Sequence, residues 1–258
     1  MQEKTLIYDG TFEGFLSCVF YVFEYKLKDV SIQNEDVHQN GLFSENETII
    51  TDIKKSDRVW NGLKKKASTL TSTKIYYAFL SEQEGIENTL LNYIQYIFKH
   101  QQKVDTDFTH PSVLKTSKIA KNVSREKHRM EAFVRFKLTK DNIYFANIAP
   151  DFNVLPLIAK HFKNRYGDQK WVIYDIKRKY GLYYDLQNLD FINLDFPENF
   201  DFSKTSADFF ADEEFEFQKL WKDYFDSTNI NERKNMKLHI RHIPKRYWKY
   251  LSEKQPNL

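Results

Sequence analysis

The sequence predicts an α+β protein, in which a helical N-terminal lobe packs with a C-terminal lobe built around a mainly antiparallel sheet. Three observations predict this class. Apolar residues recur at helical spacing through most of the first 105 residues, and from residue 132 they alternate with polar residues as in strands. Only 7 Gly and 6 Pro in 258 residues argue against a many-turned β-sandwich. We therefore expect a mainly helical domain over residues 1–109 and an α+β domain over residues 110–258.

The N-terminal lobe opens with a short predicted strand, TLIYDG, that ends in an Asp-Gly turn. A helix follows, with Thr11 or Asp9 as its N-cap. Gly14 lies in the first turns of this helix, where glycine costs about 1 kcal/mol relative to alanine and so indicates a close approach. A strand in ETIITDI and three further helices, beginning near Ser56, Thr71 and Ser81, complete the lobe.

The C-terminal lobe begins with a helix from Pro111 to about Met130, because proline suits a first helical position. The period then changes, and AFVRFKL and IYFANIA are predicted to pair as a hairpin across TKDN. A helix ending at Gly167 and two strands around a Gly181 turn follow, so the core segment is β-β-α-β-β. An irregular stretch and three helices complete the lobe, over residues 190–214, EEFEFQKLWKDYF, ERKNMKLHIRHI and PKRYWKYL.

Charge is unevenly distributed along the chain, although the net charge is only +3. Lys115–Lys140 holds nine bases against two acids, Asp185–Asp226 twelve acids against three bases, and Lys234–Lys254 seven bases against one acid. If the two basic blocks meet in the fold, they form a surface that attracts phosphates. The alternative is that both pair with the acidic block.

Four bases of the first block recur at spacings of +3, +4 and +4, which places them in one stripe on a helix. They are Lys118, Lys121, Arg125 and Arg129. Like charges in a stripe repel each other unless an anion faces them, so these residues are predicted to contact nucleic-acid phosphates. Ile119, Val123 and Met130 mark another face of the same helix, with Glu126 between them.

The C-terminal run HIPKRYWKY interleaves bases with aromatic rings. This pattern is typical of nucleic-acid sites, where Lys and Arg hold phosphates while nucleobases stack on rings. The predicted contacts are Arg241, Lys245, Arg246 and Lys249, with Trp248 or Tyr247 as the stacking ring. The alternative is that the rings dock into the core while the charges face solvent. Both can hold at once, because Trp248 can anchor the segment while Arg246 and Lys249 project.

The sequence contains no phosphate-binding P-loop, no dinucleotide fingerprint and no nucleophile elbow. Its single cysteine, Cys18, excludes an internal disulfide and a cysteine-based zinc or iron–sulfur site. His239 and His242 lie among bases that repel a cation, so we expect neither a metal site nor a cofactor. There is no signal-like start and no long apolar segment, so we expect a cytoplasmic protein without membrane contact.

Acid–base chemistry has four candidate residues. His128 and Glu131 are one turn apart on the predicted helix, at a spacing that suits an acid–base pair. Asp9 and Asp151 are further candidate polar groups. The alternative for His128 is a hydrogen-bonded position at the junction between helix and strand.

Five stretches form an ordered set over about residues 5–251. They are YDGTFEGFL, REKHRMEAFVRF, YFANIAPDFNVL, KWVIYDIKRKYGLYYD and IPKRYWKYL. In this order they resemble a bacterial family described as a probable DNA metabolism protein linked to a radical SAM partner. The resemblance implies a domain of unknown function, found beside a radical SAM protein of DNA modification or repair. In some members the domain is fused to one like uracil-DNA glycosylase.

The resemblance implies a division of labour, since this chain lacks the clustered cysteines that hold a radical SAM cluster. The leading prediction is a DNA-binding accessory protein that works with such a partner. One alternative is an enzyme, glycosylase-like or other, that acts on a damaged or modified nucleobase through His128, Glu131, Asp9 and Asp151. Another is a non-catalytic adaptor that binds its partner through the acidic segment 185–226.

Overall fold

The structure, a computed structural model, describes residues 4–36, 45–100, 104–196, 209–211, 213–214, 216–220 and 236–254. The chain comprises two compact units, residues 1–125 and 126–258. The α+β class is confirmed, because both units combine helices with a sheet. The division between the units falls inside one helix, and the predicted domain boundary at 109/110 lies just before that helix.

The first unit builds its described part from a small parallel sheet and helices. Its elements are β1 (Lys4–Tyr8), α1 (Phe12–Glu24), β2 (Val30–Asn34), β3 (Glu45–Thr48), α2 (Ile53–Lys66), α3 (Thr69–Phe79), α4 (Ile86–Lys99) and the first part of α5 (Pro111–Phe133). The strand order is β2-β1-β3, and β1 pairs in parallel with both neighbours. The predicted strand TLIY is confirmed as β1. The strand predicted in ETIITDI lies earlier in the chain as β3 and shares only Glu47 and Thr48 with the prediction, whereas β2 and the parallel pairing are not predicted.

The start of α2 is set by an N-cap other than the predicted one. The sequence pattern predicts a start at Ser56, but the helix begins at Ile53. The Asp52 carboxylate accepts the backbone N–H groups of Lys54 and Lys55 at 2.9 and 3.2 Å, which satisfies two donors of the first turn. The helix therefore includes both lysines in its basic run.

The close approach that Gly14 indicates is an approach of side chains. The hydroxyl of Thr11, the N-cap of α1, accepts the Gly14 N–H at 2.9 Å. A Cβ atom on Gly14 would lie 2.2 Å from Oδ1 of Asp9 and 2.8 Å from Oγ1 of Thr51. No larger residue fits there, so packing accounts for the glycine.

The second unit contains the last part of α5 and a five-stranded sheet. Its further elements are β4 (Lys137–Leu138), β5 (Tyr144–Ile148), α6 (Leu155–Arg165), β6 (Trp171–Asp175), β7 (Tyr180–Tyr184), β8 (Leu189–Ile192), α7 (Met236–His242) and two 3₁₀ helices (Lys245–Tyr250 and Ser252–Lys254). The strand order is β4-β5-β6-β7-β8. The β5–β6 pair is parallel and the other pairs are antiparallel. The predicted β-β-α-β-β segment and its mainly antiparallel sheet are confirmed.

The helix α5 is longer than predicted, and the strand after it is shorter. The strand predicted over residues 132–138 reduces to Lys137–Leu138, because α5 continues to Phe133. The Phe133 ring packs against Tyr247, with ring centroids 5.5 Å apart, and this contact favours the helical conformation at Phe133.

Two other details of the sheet differ from the prediction. The β6–β7 turn lies at residues 176–179, where Lys179 has a φ of 59°, and Gly181 lies inside β7. Residues 189–192 form the edge strand β8, although most of them fall in the stretch predicted to be irregular. No helix among the described residues is long and apolar enough to cross a membrane.

Candidate nucleic-acid interface

Besides Lys115, the exposed face of α5 carries three bases that have no acidic partner among the described residues. Lys118, Lys121 and Arg125 are all exposed, and none forms an ion pair with any residue that the structure describes. The sequence has no acidic residue between Pro111 and Arg125, so this face has no local counter-charge. The apolar residues of the same helix segment are buried, at Val113, Ile119, Ala120 and Val123. These three bases, the α5 stripe, thus form an uncompensated positive surface.

The fourth predicted member of the stripe lies in a different environment. Arg129 is half-buried, and its Nη1 lies 3.4 Å from Oε2 of Glu126, one turn earlier. Glu126 is 1% exposed, so the pair is shielded from water on the side of the carboxylate. Arg129 therefore contributes less free positive charge to the surface than the α5 stripe does.

The buried carboxylate of Glu126 joins three distant parts of the second unit. It accepts hydrogen bonds from the backbone N–H of Asp151 at 2.9 Å and from the Tyr247 hydroxyl. Arg246 Nη2 lies 3.4 Å from Glu126 Oε2 and 2.6 Å from Asp151 Oδ2. These four residues are the Glu126 cluster. A buried charge needs such partners, because its desolvation costs several kcal/mol.

Tyr247 serves the cluster as a buried donor. Its residue is 2% exposed. Burial, together with the hydrogen bond to Glu126, raises the pKa of Tyr247 far above its usual range, so the hydroxyl stays protonated. The same hydroxyl accepts a hydrogen bond from Arg246 Nη2 at 2.7 Å. A buried ring cannot stack on a nucleobase, so the predicted stacking can rest only on Trp248.

The β6–β7 turn holds the loop that carries Asp151. Lys177 Nζ lies 3.6 Å from Asp151 Oδ1 and donates to the Pro150 carbonyl at 3.1 Å. Arg178 donates to the Asp151 carbonyl at 3.3 Å and to Asp175 Oδ2 at 2.9 Å. Asp175 is fully buried, and this burial raises its pKa although Arg178 opposes the shift. The turn and the loop therefore form one polar network with the Glu126 cluster.

Four of the five stretches that carry the family resemblance meet in this network. REKHRMEAFVRF supplies Glu126, YFANIAPDFNVL supplies Asp151, KWVIYDIKRKYGLYYD supplies Arg178, and IPKRYWKYL supplies Arg246. The sequence signal for Glu126 is a single acid in the apolar row of α5. No sequence signal identifies its partners, because they lie 25 and 120 residues away.

The C-terminal segment displays further bases around a tryptophan. Its exposed bases are Arg241, Lys245, Arg246 and Lys249, and of these Arg246 is paired with Glu126 and Asp151. Trp248 is half-buried, and its indole N–H donates to the Ile243 carbonyl at 2.9 Å. Lys245 Nζ and Lys254 Nζ lie 6.0 and 5.6 Å from the Trp248 ring centroid. Cations and a ring are therefore adjacent, as the sequence pattern predicts.

The acid–base candidates lie in separate local networks. Asp9 belongs to the first unit, where its carboxylate accepts hydrogen bonds from the hydroxyls of Thr11 and Thr51 at 2.6 and 2.7 Å. These bonds outweigh the effect of partial burial and lower the pKa of Asp9. Asp151 belongs to the Glu126 cluster.

Glu131 has a lysine as its nearest partner. Lys127 Nζ lies 2.5 Å from Glu131 Oε1, whereas Nδ1 of His128 and Nδ1 of His161 lie 3.9 and 3.8 Å from its two oxygens. The His128 side chain is 86% exposed. His161 lies on α6, and nothing in the sequence indicates that it lies near Glu131. Neither histidine is within hydrogen-bond distance of the carboxylate, so the predicted pairing of His128 with Glu131 is loose in this structure.

The described residues offer neither a group of metal ligands nor a reactive thiol. Among the described residues, no group of three His, Cys, Asp or Glu side chains is placed to hold a metal ion. Burial raises the pKa of the Cys18 thiol to about 12, so this thiol is a poor nucleophile. The His239 side chain lies outside the described residues, as does much of the acidic segment 185–226.

Comparison with known proteins identifies the family. The chain is similar in structure to a pGpG-specific phosphodiesterase, PggH, from Vibrio cholerae, with 9% sequence identity and a TM-score of 0.31. The match covers 70% of this chain and 80% of that one, and at this similarity it carries no functional argument. No curated protein matches the sequence. A family model described as a domain of unknown function, DUF4130, matches residues 84–253, most of the chain. The chain therefore belongs to the DUF4130 family.

Proposed function

We propose that this protein binds DNA through the α5 stripe and acts as the DNA-binding accessory of a radical SAM protein of DNA modification or repair. The observation that carries the proposal is the set of three exposed bases on one helix face, with no acidic partner in the described structure. A solvated helix face normally mixes both signs of charge, which lowers the repulsion between neighbours. The α5 stripe lacks such compensation, so an external polyanion is its natural counterpart.

The dimensions of the stripe suit a phosphate backbone. Lys118 and Arg125 are seven residues apart, which corresponds to about 10 Å along a helix axis. Double-stranded DNA presents one phosphate charge per roughly 1.7 Å of its own axis, counting both strands. Three long cationic side chains over that distance therefore reach phosphates without needing a particular sequence.

The remaining predicted contacts have two different roles in this proposal. The exposed bases Arg241, Lys245 and Lys249 add phosphate contacts. Arg129 and Arg246 are held by Glu126, so they support the position of α5 and of the C-terminal segment. The radical SAM partner and the link to DNA repair rest on the resemblance of the five sequence stretches.

The test is a matched pair of triple variants assayed on duplex DNA at several salt concentrations. The first replaces the stripe, Lys118, Lys121 and Arg125, with Gln. The control replaces three exposed lysines of the second unit that form no described ion pair, Lys140, Lys160 and Lys170, with Gln. Both variants change the net charge equally, so only position distinguishes them.

We expect the unmodified protein to show a slope of log K against log salt of about −4 to −5, which corresponds to roughly five of the six proposed phosphate contacts forming at once. The stripe variant should lose about 2.7 of that slope, since each lost phosphate contact removes about 0.9. The control should keep the full slope. Equal losses in both variants, or full binding by a folded stripe variant, would sink the proposal.

The partner is tested separately. Co-expression with a radical SAM protein of the kind that the resemblance implies should give a complex that survives nuclease treatment if the two chains contact each other directly. Two chains that separate once DNA is removed would show instead that DNA alone brings them together.

A further inference from the structure

A groove of about 690 Å³ in the first unit combines aromatic walls with a basic rim. Residues of α1, α2 and α4 line it, chiefly Phe20, Phe23, Arg58, Val59, Phe98 and Lys99. Phe23 is 40% exposed, and its ring meets Phe98 edge to face with centroids 5.3 Å apart. This aromatic groove is therefore open to a ligand from solvent and has the size of a small-molecule site.

Cations lie beside the rings of the aromatic groove. Lys55 Nζ and the Arg58 guanidinium lie 5.1 and 5.7 Å from the Phe20 ring centroid. Lys66 Nζ lies 5.8 Å from the Phe98 ring centroid and donates to the Phe98 backbone carbonyl at 2.7 Å, so it holds the end of α4. Glu24 also lines the groove, and its carboxylate is paired with Lys55 at 3.3 Å. The free charge of the groove is therefore positive.

The helix α2 makes this surface strongly basic. Its 14 residues contain six bases and one acid, Asp57. This basic run is separate in sequence from the α5 stripe and from the C-terminal bases. Charge complementarity therefore requires an anionic occupant for the groove.

Gly62 shapes the wall that Phe98 forms. A Cβ atom on Gly62 would lie 3.3 Å from two carbons of the Phe98 ring. Glycine in a helix interior is destabilising, and here its absence of a side chain lets the ring lie close to the backbone of α2. The position of the Phe98 ring therefore depends on Gly62, although glycine destabilises the helix that contains it.

We propose that the aromatic groove binds unstacked bases of single-stranded DNA, while Arg58 and Lys99 hold the flanking phosphates. The proposal rests on the proposed DNA-binding function and names the form of DNA that this part of the protein takes. An acidic peptide would satisfy the charges, but it lacks the flat π faces that repeat along a DNA strand. Nucleobases stacked on exposed rings beside cations are the usual basis of single-strand binding.

The experiment compares two oligonucleotides of equal length and charge, oligo-dT and an oligomer of abasic sites. Phe23→Leu keeps an apolar side chain but removes the aromatic face. We expect it to weaken oligo-dT binding about tenfold, the order expected for the loss of one stacked base, and to leave the abasic oligomer unchanged because it has no base to stack. The matched control is Phe108→Leu, which removes another exposed ring of the first unit that lies 5.9 Å from Lys74 Nζ.

A second variant tests the phosphate contacts and does not alter the aromatic wall. Arg58→Gln should weaken both oligomers alike and reduce the salt slope by about 0.7, the value for one phosphate of a single strand. Equal loss of both oligomers in Phe23→Leu, an equal loss in Phe108→Leu, or an acidic peptide that displaces oligo-dT at equal concentration would overturn the proposal. Unchanged oligo-dT binding by Phe23→Leu would overturn it as well.

The two proposals fail in different ways. If the α5 stripe variant loses duplex binding while Phe23→Leu binds oligo-dT normally, the groove proposal fails and the stripe proposal stands. If the stripe variant binds duplex DNA normally while Phe23→Leu weakens binding of oligo-dT and not of the abasic oligomer, the stripe proposal fails and the groove proposal stands. An oligo-U arm separates DNA from RNA, and tighter binding of oligo-U than of oligo-dT would count against the proposal.

Discussion

The two halves of α5 use the same spacing of bases for different purposes. In the first half, Lys118, Lys121 and Arg125 are exposed and have no described acidic partner. In the second half, Arg129 continues the spacing but lies beside the buried carboxylate of Glu126. One buried acid in the apolar row thus converts a surface base into part of an internal network. The comparison shows that periodicity alone does not distinguish a binding residue from a supporting one.

The largest expected effect comes from the acid that separates the two halves. Glu126→Gln removes the charged partner of Arg129, leaves Arg246 with Asp151 alone, and places an amide N–H₂ against the donors of the cluster. We expect the free energy of unfolding to fall by about 3 kcal/mol, since breaking a buried pair costs about 3–5 kcal/mol. Urea unfolding measures it. The control Glu216→Gln, at an exposed position, should change stability by less than about 0.5 kcal/mol. Similar losses in both variants would contradict the role given to Glu126.

A smaller loss is expected from the hydroxyl that binds Glu126. Tyr247→Phe keeps the ring contact with Phe133 and removes one donor to a buried carboxylate. Hydrogen bonds to charged groups contribute about 1.5–3 kcal/mol, so unfolding should become easier by about 2 kcal/mol. In the double variant with Glu126→Gln, the two losses should not add, because they remove the same interaction. Strict additivity would show that the two side chains act independently.

Replacing one arginine from each half of α5 with Gln compares the two halves directly in DNA binding. Arg125→Gln should reduce the slope of log K against log salt on duplex DNA by about 0.9. Arg129→Gln should leave the slope unchanged while lowering the thermal unfolding midpoint, since it removes an ion pair with Glu126. Equal reductions of the slope would place both halves of the helix on the DNA.

The smallest expected effect is the pH dependence of stability that comes from Lys137, a buried lysine. Burial lowers the pKa of Lys137, while Glu214 opposes the shift. Between this lowered pKa and the unfolded value of 10.5, the folded state binds fewer protons than the unfolded state. The free energy of unfolding therefore rises with pH in that window and the gain is complete above 10.5.

Lys137→Met should abolish this rise, and the exposed Lys140→Met should keep it. Urea unfolding of both variants at pH values from neutral to about 10.5 measures the difference from the unmodified protein. A difference between Lys137→Met and the unmodified protein that stays constant with pH would show that the Lys137 charge is already compensated in the folded state.

The sequence allowed prediction of what depends on local periodicity. The spacing of Ile119 and Val123 predicts α5, and alternation predicts the strands around α6. Contacts between residues far apart in the sequence could not be predicted from it. Nothing near Glu126 in sequence identifies Arg246 or Tyr247 as its partners. Likewise the basic character of α2 is visible, but the rings that turn it into a groove come from α1 and α4.

Helix ends and short strands were also poorly predicted from the sequence. Asp52 starts α2 earlier than Ser56 would, because side-chain capping of two backbone N–H groups outweighs the apolar pattern. The strand β3 is polar and β2 has only Val30 and the buried Ile32 as apolar residues, so neither strand shows an alternating pattern that identifies its pairing with β1.

The hydrogen bond between Tyr247 and Glu126 joins residues that are 121 positions apart. A chain emerges from the ribosome N-terminus first, so α5 is complete long before two of the donors for its buried carboxylate exist. Until then, burial of the Met130 face would place Glu126 in an apolar environment without Tyr247 and Arg246. The second unit can therefore close fully only on a chain synthesised past Tyr247. A product that terminates before Arg246 lacks both of these donors for its buried carboxylate.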